Sequence, residues 1–125
     1  MGKSLTYHYT SLMKKTQQRK YAKLILEVGV HLVKGQKLLI AAEAYHIDFL
    51  TILTEEAYKM GASYVLIETE HPQITKARVN HADKDSLELI PGWLEKKYQC
   101  IIDEGWARVK IFGPTDPDML GKLDS

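Results

Sequence analysis

The sequence is poor in the features that define several large protein classes. Its 125 residues include one cysteine, Cys100, so neither an intramolecular disulfide nor a multi-cysteine metal site can form. No apolar run approaches the roughly 18 residues that a membrane-spanning helix needs. The first 20 residues carry basic side chains but no apolar segment, unlike a secretory signal. These absences predict a protein of the reducing cytoplasm with no membrane partner.

The chain also lacks an excess of charge of either sign. Lys and Arg number 17 and Asp and Glu 16, which leaves a net charge of +1. Such a protein has no long-range field to attract nucleic acid. Apolar residues make up 45% and charged residues 26%, the composition of an ordinary globular domain. We therefore expect one domain and no nucleic-acid partner.

Glycine is missing from residues 43–46, which follow the first predicted strand. A dinucleotide-binding turn needs glycines there so that the backbone can approach the pyrophosphate. The sequence also contains no P-loop, no HExxH helix and no G-x-S-x-G nucleophile elbow. These absences argue against a nucleotide site and against the familiar serine and zinc hydrolase motifs.

Hydrophobic periodicity divides the chain into alternating helices and short strands. Helical spacing covers residues 17–34, 47–60, 72–81, 84–89 and 91–103. Gly35, Gly61 and Gly105 end three of these helices. Short apolar or alternating runs predict strands at 37–42, 63–68 and 107–112. A further helix is expected to begin near the C-terminus, with Asp116 as its N-cap.

Strands separated by helices predict parallel pairing through right-handed crossovers. The expected fold class is α/β: a small three-layer, Rossmann-like open parallel sheet of about three strands. We expect the order 2-1-3, because the most apolar strand, 37–42, belongs in the middle. The alternation of 107–112 predicts an edge strand. Residues 1–16 are interpreted as an N-terminal extension, and residues 17–125 as the domain.

Polar residues follow the predicted strands, and they form the first candidate for a binding site. Glu43 and His46 follow the first strand, and Glu70 and His71 follow the second. Thr115 and Asp116 follow the third. Ligands of open parallel sheets bind beyond the carboxyl ends of the strands, and Glu and His can ligate metals. The alternative is ordinary loop polarity, which the residues alone do not exclude.

Other isolated residues favour structural roles. Glu27 and His31 are four apart in a predicted helix, which fits a solvated pair better than a two-ligand metal site. Cys100 lies among apolar residues and is interpreted as a buried or half-buried hydrophobe rather than a nucleophile. Trp93, beside Pro91 and Gly92, is a candidate for contact with another domain or subunit.

Several short stretches occur in an order and spacing that resemble one known family. They are residues 20–25, 28–30, 33–40, 56–62, 78–82, 90–94 and 116–117. Together they resemble the N-terminal domain of the thermophilic metalloaminopeptidase family, from about Gln17 to Leu123. Residues 1–16 lie outside the match.

The resemblance implies a cytoplasmic, homodimeric exopeptidase that removes N-terminal residues from peptides. Family members use two divalent metal ions (zinc, cobalt, manganese or magnesium), whose Glu, His, Asp and Tyr ligands lie in the C-terminal portion. No catalytic, cofactor-binding or metal-binding residue is therefore carried over to this chain. We expect a truncated or isolated N-terminal portion that is inactive alone and forms a homo-oligomer.

The sequence also allows two alternative functions. The chain could be a stand-alone module that binds a small ligand or protein at Glu43, His46, Glu70 and His71. It could also be a structural oligomerisation unit, because a small parallel sheet leaves edges and apolar helix faces exposed.

Overall fold

A computed structural model describes residues 3–8 and 14–112 of the protein. Four strands occur in the described part: β1 (Ser4–His8), β2 (Lys37–Glu43), β3 (Tyr64–Glu70) and β4 (Ala107–Phe112). The five α-helices are α1 (Lys15–Leu24), α2 (Ile47–Lys59), α3 (Pro72–His81), α4 (Lys84–Glu88) and α5 (Gly92–Asp103). A π-helical segment (Ile25–Gly29) extends α1, and a 3-10 turn (Ala44–His46) precedes α2. The helix expected at Asp116 lies outside the described residues.

All described strand pairs are parallel, and the sheet order is β1-β4-β2-β3. For the three predicted strands this confirms the order 2-1-3, with the apolar strand β2 between its two partners. The α/β class is likewise confirmed. Within the described residues, no helix combines the length and apolarity needed to cross a membrane.

Two strand predictions need correction. Residues 4–8, interpreted as part of an extension, pair with β4 as a fourth strand. As a result β4 is an interior strand, and the prediction that it forms an edge is wrong. The alternation of β4 has another cause: Val109 and Ile111 enter the main core, whereas Lys110 and Phe112 are exposed on the opposite face. An interior strand with one sheet face that is little covered shows the same alternation of apolar and polar residues as an edge strand.

The first helix is shorter than its apolar stripe predicts. The π-helical segment ends at Gly29, and His31 has a φ of 50°, a conformation that stops a helix. The predicted helical pair of Glu27 and His31 therefore does not share a helix face, and both side chains are exposed. Leu32 remains partly buried against the core because its N–H donates to the carbonyl of Leu26 at 2.8 Å.

Gly61 shows why a glycine ends α2. Its φ is 96°, and a Cβ there would lie 2.8 Å from Cγ of Lys34. Its carbonyl accepts a bond from the N–H of Gly35 at 2.7 Å. The turn after α2 is thereby fastened to the turn before β2, which sets the start of β2 beside the start of β3.

The core lies between the sheet and the α1–α2 layer. Its fully buried members include Leu26, Leu38, Ile40, Phe49 and Leu53. Tyr21 of α1 stacks on Phe49 of α2 with ring centroids 5.7 Å apart. This layer is a closely packed hydrophobic unit.

The opposite face of the sheet is covered differently. Side chains alternate along a strand, so Glu68 points away from the core face on which Ile67 packs. Helix α5 meets that second face: the Tyr98 hydroxyl donates to Glu68 at 2.9 Å, and Lys97 pairs with Glu68 at 2.9 Å. The molecule thus has three layers, with the sheet in the middle. The interface between the sheet and the α1–α2 layer is apolar, and the interface between the sheet and α5 is largely polar.

Candidate functional site

The carboxyl ends of β2 and β3 bring together two of the predicted site residues. Glu43 and Glu70 are Cα partners in the parallel register, and paired residues on neighbouring strands share a face. Glu43 is half-buried and Glu70 is exposed. The two carboxylates therefore lie side by side at this edge of the sheet.

The two predicted histidines are placed in different environments. His46 ends the 3-10 turn and is 4% exposed, whereas His71 is exposed and precedes the first residue of α3. Thr115 and Asp116 lie outside the described residues. Among residues 3–8 and 14–112, no group of three or more His, Cys, Asp or Glu side chains could hold a metal ion. A functional cluster of Glu43, His46, Glu70 and His71 therefore remains a prediction.

A second polar cluster lies at the amino end of the sheet, centred on Glu104. This carboxylate accepts hydrogen bonds from the Cys100 thiol at 2.9 Å, from Lys37 and from the Trp106 indole at 3.0 Å. The bonds from Cys100, Lys37 and Trp106 lower the pKa of Glu104 from 4.5 to about 2. The Lys37 ammonium also lies 5.7 Å from the Trp106 ring centre. The contact with Lys37 ties the end of α5 to the start of β2.

Cys100 belongs to this structural cluster. Its side chain is exposed, so the expectation of a buried or half-buried cysteine is wrong. The hydrogen bond to Glu104 raises the pKa of the thiol. Because the thiolate is the nucleophilic form, Cys100 is a hydrogen-bond donor to Glu104 and a poor nucleophile at neutral pH.

Sequence patterns do not predict an ion pair that joins α1 to a buried carboxylate of α2. Glu56 is 3% exposed, and its Oε1 accepts a 2.7 Å bond from Arg19. That bond, with a smaller contribution from Lys59, lowers the pKa of Glu56 despite burial. No sequence signal points to the pair, since its members are 37 residues apart.

The largest unexplained feature of the surface is the apolar content of α3–α5. Helices α3 and α4 bury no residue, and α5 buries only Ile101. Eight large hydrophobic side chains on these helices and on the connection between them are at least 40% exposed. The first six along the chain, which we call the α3–α5 surface, are Ile74, Val79, Leu87, Leu89, Ile90 and Trp93. Trp93, at 67%, is the most exposed of them. Helices α1 and α2, by contrast, contribute buried residues to the core. An exposed apolar set of this kind has the composition of a contact site.

The comparisons with known proteins agree with this architecture. Residues 14–125 match the family described as thermophilic metalloprotease (M29). Aminopeptidase T of Thermus thermophilus is 32% identical over 109 residues, which are 87% of this chain and 26% of that protein. Aminopeptidase AmpS of Bacillus subtilis is 30% identical over 105 residues, 84% of this chain and 25% of that protein.

A solved structure shares the fold. Wild-type AmpT from Thermus thermophilus superposes with a TM-score of 0.72 at 28% identity, covering 88% of this chain and 30% of that one. These matches place the chain in a class of proteins related to metallopeptidases. The chain belongs to the thermophilic metalloprotease (M29) family, and it corresponds to the family's N-terminal domain. It spans about a quarter of the length of the curated relatives it matches.

Proposed function

We propose that this chain is the N-terminal, non-catalytic portion of a metal-dependent aminopeptidase that removes N-terminal residues from peptides. One observation carries the proposal: almost the whole chain matches the family, yet it corresponds to only 25–26% of two aminopeptidase relatives. The proposal includes a cytoplasmic enzyme and peptide substrates.

The described residues do not fit a two-metal centre. Such a centre needs several carboxylate and imidazole ligands held around two close ions. Residues 3–8 and 14–112 contain no group of three such side chains. In this proposal the two divalent ions (zinc, cobalt, manganese or magnesium) are held by the remainder of the enzyme. We assign no step of peptide hydrolysis to this chain.

The α3–α5 surface is the part of this chain that would contact the remainder of the enzyme. The relatives are about four times as long as the segment they share with this chain, so in them a large polypeptide is joined to this segment and would pack against it. Trp93, Ile90 and Leu89 are exposed by 67%, 58% and 65%, which suits the apolar centre of an interface. The chain would thereby wall the cavity in which the remainder binds metal and peptide.

The direct test is an activity assay of the purified 125-residue chain. Amino-acid p-nitroanilides are supplied with cobalt, zinc, manganese or magnesium, and B. subtilis AmpS serves as the positive control. We expect no metal-dependent turnover above the buffer rate. Turnover that rises with metal and is removed by a chelator would refute the assignment as non-catalytic.

A chimera tests the supporting role. This chain replaces the matching quarter of B. subtilis AmpS, and we expect metal-dependent aminopeptidase activity from the folded chimera. Trp93→Arg on the α3–α5 surface should lower that activity at least tenfold, whereas the solvated Lys96→Arg should not. Equal activity of both variants would show that the α3–α5 surface is not the contact.

A further inference from the structure

Positive charge is concentrated on helix α1. Residues 14–26 contain no acidic side chain and five basic ones: Lys14, Lys15, Arg19, Lys20 and Lys23. The whole chain has 17 basic and 16 acidic residues, so this segment leaves a net charge of −4 to the rest of the chain. The positive charge is therefore a property of one surface and not of the overall composition.

Most of these cations line one side of the helix. Lys15, Arg19 and Lys23 follow each other at intervals of four residues, which places them in a row about 12 Å long. Together with Thr16 and Lys20 they line a groove of about 600 Å³. None of the described residues that line this groove is acidic. An anion would therefore meet only positive and neutral side chains along the outer side of α1.

One cation of the groove is already paired within the chain. Arg19 lies 2.7 Å from a carboxylate oxygen of Glu56 and 3.4 Å from one of Glu55, both on α2. The three lysines of the groove are exposed and form no ion pair with any described residue. Their positive charge is thus left for a partner.

The arrangement is unfavourable for the helix itself. Cations four residues apart repel each other. Lys14 and Lys15 also place positive charge at the N-terminus, where the helix dipole favours negative charge. The first turn contains no acidic residue to offset them. Solvated helix faces normally alternate charges of both signs, so a face of one sign is better explained by an anionic partner.

An exposed apolar end continues the same side of α1. Leu24 follows Lys20 by four residues and is 55% exposed. Val28, in the π-helical segment, is 61% exposed. The outer side of the helix therefore has a cationic portion and an apolar portion next to each other. This combination suits a polypeptide, because its side chains supply both carboxylates and apolar groups.

The geometry also separates the kinds of anion. Three lysines spread along a helix do not converge on one point, as the donors around a single phosphate do. A single-stranded nucleic acid needs exposed aromatic side chains for its bases, but the aromatic residue of α1, Tyr21, is stacked on Phe49. Carboxylates four residues apart on a partner helix, by contrast, repeat at the spacing of the cationic row.

From these observations we propose that the outer side of α1 binds an acidic polypeptide segment. Its carboxylates lie along Lys15, Lys20 and Lys23, and its apolar end lies against Leu24 and Val28. This site is on the other side of the sheet from the α3–α5 surface, and it does not depend on the proposed enzymatic role.

Fluorescence anisotropy tests the proposal with a labelled peptide of six glutamates followed by two leucines. We expect the full chain to bind this peptide at low ionic strength and to lose affinity as added salt screens the charges. The triple variant Lys15→Gln/Lys20→Gln/Lys23→Gln should weaken binding about tenfold, because three exposed charge pairs are lost.

A matched control removes the same charge elsewhere. Lys76→Gln/Lys84→Gln/Lys96→Gln changes exposed lysines of α3, α4 and α5 and should weaken binding less than about twofold. No binding by the parent protein, or an equal loss in the two triple variants, would overturn the proposal. Tighter binding of single-stranded RNA or of phosphatidylserine vesicles would overturn it as well, since the surface would then have a different partner.

Amide chemical shifts cover the case in which the triple variant fails to fold. In the parent protein the peptide should perturb residues 15–28 and leave α3 and α4 unchanged. Replacing the two leucines of the peptide by serines should reduce the perturbations at Leu24 and Val28 and keep those at the lysines. Perturbations confined to the α3–α5 surface, or spread evenly over the chain, would contradict a site on α1.

Discussion

The helices on the two sides of the sheet are buried to very different extents. On one side α1 and α2 close over Leu38, Ile40 and Phe49, which are all fully buried. On the other side α3 and α4 bury nothing, and α5 buries only Ile101 and contacts the sheet through Glu68 and through the pair of Glu104 with Lys37. The first side is packed as a hydrophobic core. The second side leaves large apolar side chains exposed, as a contact surface does. Apolar periodicity in a helix therefore predicts a face to be covered, but not which polypeptide covers it.

The largest contrast should come from removing one large side chain on each side. Leu53→Ala, at a fully buried position of α2, should lower the free energy of unfolding by about 2–5 kcal/mol through lost burial and a residual cavity. Ile74→Ala, at a 65% exposed position of α3, should change it by no more than about 0.5 kcal/mol. Urea denaturation followed by circular dichroism measures both. A similar loss for both variants would mean that α3 is packed.

A smaller effect is expected from the ion pair inside the α1–α2 layer. Arg19→Met keeps the aliphatic length but leaves the buried Glu56 carboxylate without its 2.7 Å partner. Leaving such a group unsatisfied should cost about 1–3 kcal/mol. The control is Glu55→Gln, which removes only the 3.4 Å contact between half-exposed groups and should cost less than about 1 kcal/mol. An Arg19→Met protein as stable as its control would show that Lys59 and solvent suffice for Glu56.

The smallest effect concerns the polar side and depends on pH. The pKa of Glu104 is about 2 in the folded chain against an ordinary 4.5, so the folded state holds this proton less tightly than the unfolded state. Its stabilisation is complete above about pH 4.5 and is lost as the pH falls through 2.

Glu104→Gln should accordingly lower Tm at pH 7, and the difference from the parent protein should shrink steadily between pH 4.5 and 2. Thermal melts across this range measure the difference. The conservative comparison is Asp103→Asn, one residue away, which keeps the three bonds to Glu104. If the Tm difference between Glu104→Gln and the parent protein stayed constant with pH, the Glu104 contacts would not be its cause.

Local patterns predicted most elements of the fold. The helices at 47–60 and 91–103 and the strands at 63–68 and 107–112 lie within two residues of their observed bounds. Two of the failures share a cause: strand β1 and the interior position of β4 depend on pairing between distant segments. The first helix ends early where His31 has a φ of 50°. Residues 4–8 alternate polar and apolar side chains over only five positions, and pairing with β4 makes them a strand.

The candidate site was predictable to a smaller extent. The adjacency of Glu43 and Glu70 follows from parallel strands of similar length, and the register contains that pair. The burial of His46 and the exposure of Cys100 do not follow from their neighbours in sequence. Of the α3–α5 surface, the sequence predicts only Trp93 as a contact residue. A helical stripe that includes Leu87 and Ile90 has the same sequence pattern whether it is covered or exposed.

The sequence by itself determined the class of the protein, the order of its central elements and its family, because periodicity, glycine stops and short motifs are local properties. The tertiary structure decided the addition of β1 to the sheet, the pairing of Arg19 with the buried Glu56 and the difference between the two sides of the sheet. Those features depend on which distant surfaces meet. Burial depends on contact between segments that are distant in the sequence. The apolar stripes of α2 and α5 therefore differ in role only because the sheet places α2 over the core and leaves α5 largely exposed.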